Sequence, residues 1–132
     1  MSYLNKGEIH TLYSEIYNAK EMKNLKKEVL YVPEYVLTKF NKFTGDETVK
    51  HDEKDIFVDY KLKYQLISAD ELNQKILEEA TSFYYLIYIK SSTDKYISVI
   101  NSLTGELIYS AYTPASYNIK SEDLKELQKK TL

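Results

Sequence analysis

The stretch Asp55-Ile56-Phe57-Val58-Asp59-Tyr60-Lys61-Leu62-Lys63-Tyr64-Gln65-Leu66-Ile67 carries the most regular pattern in the chain. Ile56, Val58, Tyr60, Leu62, Tyr64 and Leu66 recur at every second position, and Asp59, Lys61, Lys63 and Gln65 fill most of the gaps. Side chains alternate across a strand, so this pattern predicts a strand over 55–67 with one dry face and one wet face. A slip of one residue would bury the charges, which makes the register well specified.

Outward from that stretch, Ser68-Ala69-Asp70-Glu71 has the spacing of a capping box. The Ser hydroxyl can accept from the third helical amide while the Glu reaches back. Leu72, Ile76, Leu77 and Ala80 then mark the inner face of a helix ending near Ala80. Residues 81–90 follow, apolar on both faces: Phe83, Tyr85, Ile87 and Ile89 on one, Tyr84, Leu86 and Tyr88 on the other. Such a run predicts a strand central in its sheet. Turn-forming residues at 91–94 and at Leu103-Thr104-Gly105 separate it from strands over 96–101 and 106–112, giving an antiparallel meander that ends at Thr113-Pro114.

Toward the N-terminus, Ile9, Leu12, Tyr13, Ile16 and Tyr17 follow helical spacing. With Met22, Leu25 and Val29 continuing the stripe, they predict a helix over 6–28, with Asn18 an irregularity. Residues 29–40 favour a strand, and Pro33 would confine it to an edge or a bulge. The rival reading starts a short helix at Pro33, with Val36, Leu37 and Phe40 inward. Residues 44–55 read as an exposed polar loop turning at Gly45. At the C-terminus Ser121 reads as an N-cap, Glu122 and Asp123 suit the first helical turn, Lys129 and Lys130 the last, and Leu124 and Leu127 the buried side.

The predicted order is α-β-β-α-β-β-β-α: one α+β domain over 1–132, with a mainly antiparallel five-stranded sheet and helices on one face. This order resembles the profilin-like layout of roadblock-type and sensor domains. Cystatin-like and NTF2-like layouts, a helix wrapped by a curved sheet, are rivals. The resemblance is one of element order and implies a fold, not an activity.

The 132 residues are 43% hydrophobic and 29% charged with a net charge of −2, the profile of a folded chain without a strong external field. That balance points away from nucleic acid and anionic membranes. All 18 basic residues are Lys, which removes the bidentate fork that Arg offers phosphates and bases. Lys20, Lys23 and Lys27 line one side of the first helix, but Glu15, Glu21 and Glu28 interleave with them. The absence of Cys excludes thiol chemistry, Cys-ligated zinc and disulfides. The longest apolar run is too short to span a bilayer, and no signal-peptide pattern opens the chain. A cytoplasmic location follows, although a mature fragment of an exported protein would read the same.

The acidic segment Asp46, Glu47, His51, Asp52, Glu53 and Asp55 is the densest set of ligand-type residues, but it matches no EF-hand spacing and a lone His makes no zinc triad. His10 and His51 have no nucleophile in a recognisable pattern beside them, and Gly7, Gly45 and Gly105 are isolated, so no phosphate-wrapping loop exists. The sequence therefore predicts no metal, no cofactor and no catalytic residue. Its unusual count is 14 Tyr against 4 Phe and no Trp. Tyrosine pairs a rigid apolar ring with a polar tip and is favoured at interfaces. The expected function is a non-catalytic binding or scaffold domain holding a protein partner or a second copy through Tyr84, Tyr88, Tyr96, Tyr109, Tyr112 and Tyr117. The alternative is a small-ligand binder or lyase-like enzyme with an NTF2-like pocket, using a tyrosine and a buried carboxylate at Asp55 or Asp59.

Overall fold

The computed structural model describes residues 16–39, 49–50, 52–78, 81–90, 94–114 and 118–132. In chain order the elements are β1 (Ile16–Tyr17), α1 (Ala19–Leu25), β2 (Leu30–Pro33), a 3-10 turn (Glu34–Leu37), β3 (Thr38–Lys39), β4 (Val49–Lys50), α2 (Glu53–Ile56), β5 (Tyr64–Ile67), α3 (Ala69–Glu78), β6 (Tyr84–Lys90), β7 (Asp94–Asn101), β8 (Leu107–Pro114) and α4 (Ser121–Lys129). Six strands form one sheet in the order β1-β8-β7-β6-β2-β5, and β3 pairs separately with β4.

The meander is present as expected. β6, β7 and β8 pair antiparallel in sequence, and β6 is an interior strand. Gly105 takes a φ of 72° in the second turn, a conformation that costs a residue with a Cβ. The other half of the sheet corrects the expectation. β2 runs parallel to both β5 and β6, so the sheet is mixed rather than mainly antiparallel. The cause is the connection β5–α3–β6: a strand, a ten-residue helix and a strand return the chain in its original direction, and β2 fills the gap between the two strands.

Helices also lie on both faces, not one. On the front face Met22 and Leu25 of α1, Ile56 of α2 and Leu124 and Leu127 of α4 pack with Leu30, Val32, Tyr84, Leu86, Tyr88, Ile97, Val99, Ile108 and Tyr109 of the sheet. On the back face Leu72 of α3 packs with Ile67 and Phe83, flanked by Tyr31, Ile76 and Tyr85. The cross-strand register explains the division. Leu30 lies beside Tyr84 and Tyr64, while Tyr31 lies beside Tyr85 and Gln65, and neighbouring residues point to opposite sides.

Within 55–67 only Tyr64–Ile67 is a strand. Asp52 accepts from the Lys54 amide at 2.9 Å and caps the short helix α2, which takes Ile56 out of the strand. Ile56, Phe57 and Tyr60 are buried, a helical spacing of i, i+1 and i+4, while Val58 is 50% exposed. The stretch satisfies both periods, and Phe57 was the residue that the strand pattern left unexplained. Lys61 and Lys63 are exposed as expected.

Helix 6–28 is likewise corrected where it is described. Ile16–Tyr17 pair with β8, and the helix begins only at Ala19 because the Asn18 side chain accepts from the Glu21 amide at 3.1 Å. Ile9, Leu12 and Tyr13 lie outside the described residues. Residues 29–40 combine the two rival readings: β2 ends at Pro33, and a 3-10 turn starts after it, burying Val36 and Leu37. β2 is an interior strand, not an edge. Pro33 is tolerated because β6 pairs only with Leu30 and Tyr31, so the ring lies past the last shared ladder position on that side. In α3 the Ser68 hydroxyl accepts from the Glu71 amide at 3.1 Å as predicted, but Leu77 is 83% exposed rather than inward. In α4 the cap is Lys120, one residue earlier than Ser121, and its amide donates to Asp123 at 2.8 Å.

The same Asp123 holds the most buried charge among the described residues. Lys95 is 0% exposed, and its ammonium donates to Asp123 at 2.7 Å and to the Asn118 carbonyl at 2.5 Å. Burial pulls the Lys95 pKa down, against the attraction of Asp123. The pair ties the start of α4 to the start of β7, the middle strand of the meander. Asp123→Ala strands a buried ammonium and should destabilise the fold by about 3–5 kcal/mol, while Lys95→Met, which removes the charge and keeps the volume, should cost clearly less. Urea unfolding of the two variants reads the difference.

Candidate functional site

The six tyrosines proposed from the sequence do not form one surface. Tyr84, Tyr88 and Tyr109 are buried on the front face, in the core against the helices. Tyr96 and Tyr112 are half-buried on the back face, with ring centroids 5.1 Å apart. Tyr117 lies outside the described residues. Strand alternation could have separated the first group, because Tyr84, Leu86 and Tyr88 are in phase with one another and pair with Asn101, Val99 and Ile97.

The back face is laid out in rows by the register. One row runs Ile89, Tyr96, Tyr112 across β6, β7 and β8; the next runs Ile87, Ser98, Ser110; the third runs Tyr85, Ile100, Leu107. The Ser98 hydroxyl donates to Ser110 at 2.9 Å, which satisfies both buried groups in the middle row. Tyr112 donates to Asp94 at 3.0 Å, and burial, then Asp94, raises its pKa. Helix α3 packs over the β2–β5 side of this face, against Phe83, Ile67 and Tyr31. In the first row Ile89 is 55% exposed, while Tyr96 and Tyr112 beside it are half-buried. Chemically this row offers aliphatic and aromatic area with a phenol–carboxylate pair at its rim, which suits burial against another surface.

On the β5 side α3 and the sheet form an open cleft of about 510 Å3. Its floor is Tyr31, Gln65 and Ile67, and its wall is Asp70, Glu71, Gln74, Lys75 and Glu78. The Lys75 ammonium turns inward, 4.6 Å from the centre of the Tyr31 ring and 4.9 Å from that of Phe83, which leaves the carboxylates at the rim. Sequence reading missed this cleft. The signal was present in Ser68–Glu71, which starts a helix with two acids directly after a strand, but the strand's place at the sheet edge was not readable. Asp55 and Asp59, the carboxylates considered for a buried catalytic role, are both exposed. Of the acidic segment, Asp46, Glu47 and His51 lie outside the described residues, and Asp52 serves as the cap of α2. Among the described residues no three ligating side chains converge as a metal site, and no helix is long and apolar enough to cross a membrane.

A third polar cluster is structural. Tyr84 donates to Glu21 at 2.5 Å and the Asn101 amide donates to the same oxygen at 3.3 Å, so the buried phenol is satisfied where α1 crosses the sheet. Burial, then Glu21, pushes the Tyr84 pKa up to about 12. Tyr60 contrasts with it: 3% exposed, with a buried hydroxyl that has no hydrogen-bond partner among the described residues. Tyr84→Phe should therefore cost about 1–2 kcal/mol, whereas Tyr60→Phe should be neutral or stabilise by about 1 kcal/mol, as measured by denaturant unfolding.

Burial also holds the phenols of Tyr60 and Tyr109 well above their usual value of 10.0. A raised phenol pKa contributes stability that is complete below pH 10 and is lost as pH rises through the folded value, about 12 for Tyr84. Lys95 acts in the opposite sense up to its usual 10.5, but it is one group against three. Followed by phenolate absorbance, Tyr60, Tyr84 and Tyr109 should ionise only as the fold is lost above pH 10; a single wave near pH 10 with the fold intact would contradict the burial described. Compared with protein-family models, with curated proteins and with solved structures, the chain matches none of them.

Proposed function

We propose that this chain is a non-catalytic binding or scaffold domain that holds a protein partner on the β6–β8 side of its back face. One observation carries the reading: Ile89, Tyr96 and Tyr112 line up across three strands on the β6–β8 side of the face, with Ile89 more than half exposed. Rigid rings lose little entropy when they are covered, and an aliphatic neighbour adds area without a desolvation cost. Of the six tyrosines expected at the surface, Tyr96 and Tyr112 serve in this role, while Tyr84, Tyr88 and Tyr109 support the sheet from its core.

The cleft beside α3 favours the second reading, a small-ligand or lyase-like site. Its volume falls in the range of ligand pockets. Six of its eight lining residues are polar or charged and it opens at the sheet edge, which fits an NTF2-like pocket poorly. Helices on both faces speak against the cystatin-like and NTF2-like layouts, and the two parallel ladders separate the sheet from an antiparallel profilin-like one.

A photo-crosslinking amino acid placed at position 89 tests the main reading against the same group at position 58, where Val58 is similarly exposed away from this face. The expected result is a discrete protein adduct from position 89 alone, reduced by Tyr96→Ala. Equal adducts from both positions, or none from 89, would overturn it. Ile89→Lys should shift stability by less than about 0.5 kcal/mol, because the residue is already exposed.

A further inference from the structure

Strand β5 closes one end of the six-stranded sheet, and no strand pairs with its outer side among the described residues. The direction of its free groups follows from the ladder. The Leu30 amide donates to the Lys63 carbonyl at 3.0 Å, and Leu30 lies opposite Tyr64. In a parallel pair, alternate residues address the partner, so Lys63, Gln65 and Ile67 bond toward β2. The amides and carbonyls of Tyr64 and Leu66 point outward. Such an edge is a template for another strand.

The charges around β5 are ordered. Lys61 and Lys63 precede the strand and Asp70 and Glu71 follow it, all exposed. We propose that two copies of this chain join antiparallel through β5, about a two-fold axis at Gln65, so that the sheet continues across the dimer. This seam uses the sheet edge and is independent of the back-face reading above. With the axis at Gln65, Tyr64 and Leu66 exchange hydrogen bonds with Leu66 and Tyr64 of the second copy. Gln65 meets its own counterpart in a closely spaced, non-hydrogen-bonded pair.

Strand alternation puts Lys63 on the same face as Gln65 and Ile67, and this register sets it beside Ile67 of the second copy. That position borders the cleft that Ile67, Asp70 and Glu71 line. Each copy thus offers a lysine to the acidic cleft of the other, twice by symmetry. A parallel arrangement would set lysine on lysine and acid on acid, so the charge order selects the antiparallel one. The seam is only a four-residue strand on each side, which places it among small, weak interfaces below about 1,200 Å2.

The chain has no cysteine, so Gln65→Cys introduces a single reporter. A closely spaced antiparallel pair brings the two Cα atoms within disulfide range. At about 0.5 mM protein and under mild oxidation, Q65C should form a disulfide-linked dimer at least about tenfold faster than Lys125→Cys on exposed α4. Light scattering of the wild type over the same concentrations should show the mass rising from 15.5 kDa toward twice that value. Adding Lys63→Glu to Q65C should slow the cross-link to the control rate, and adding Asp70→Lys and Glu71→Lys as well should restore it. All four positions are exposed, and circular dichroism confirms the fold of each variant. Cross-linking no faster than the control, indifference to Lys63→Glu, or loss of the dimer on Ile89→Lys instead would overturn the proposal.

Discussion

Four residues, Leu30–Pro33, hold the two halves of the sheet together. β2 is the strand through which the meander β6–β7–β8 and the edge strand β5 are joined, and both of its ladders are parallel. Leu30 and Val32 are completely buried on the front face, and Tyr31 packs edge-on against Phe83 at 5.4 Å on the back. Parallel pairing needs cover on both faces, because the crossover that makes it possible brings a helix with it. Here α3 provides that cover on the back, while α1, α2 and α4 close the front.

The tyrosine content has a related explanation. Tyr84 and Tyr109 fill the core from the sheet, and Tyr60 and Tyr64 pack around Phe57 below it, with Tyr64 stacked on Phe57 at 4.0 Å. Each buried phenol has to place a hydroxyl, and the fold meets that demand unevenly. Tyr84 reaches Glu21 and Tyr64 reaches Glu53 at 3.0 Å, while the Tyr60 hydroxyl finds no partner among the described residues. Tyrosine therefore fills core volume on the front face, while Tyr96 and Tyr112 are half-buried on the back. A count of tyrosines cannot separate the two, but the phase of each residue within its strand can.

The polar surfaces divide in the same way between support and recognition. Lys95, Asp123 and the Asn118 carbonyl form a closed group that fixes α4. Its signal was legible, because Lys95 is in phase with Ile97 and Val99, so an inward charge had to find a partner on whatever covered β7. Among the described residues, the carboxylates at the start of α3 are exposed beside a strand edge with no partner strand, and Lys75 of the cleft wall is turned onto aromatic rings.

Local chemistry wrote the elements that depend only on near neighbours. The capping box at Ser68, the meander with Gly105 in its turn, the interior character of β6 and the buried leucines of α4 were readable, since a few adjacent residues decide each one. Where two periods fit the same letters, as in 55–67, tertiary packing made the choice, burying Phe57 and leaving Val58 in water. Strand order, the parallel ladders, the placing of helices on both faces and the division of the tyrosines came from the fold alone. They depend on which distant segments meet, and β2 joins β6 across a gap in sequence that holds the 3-10 turn, β3, β4, α2, β5 and α3, so no local pattern records the meeting.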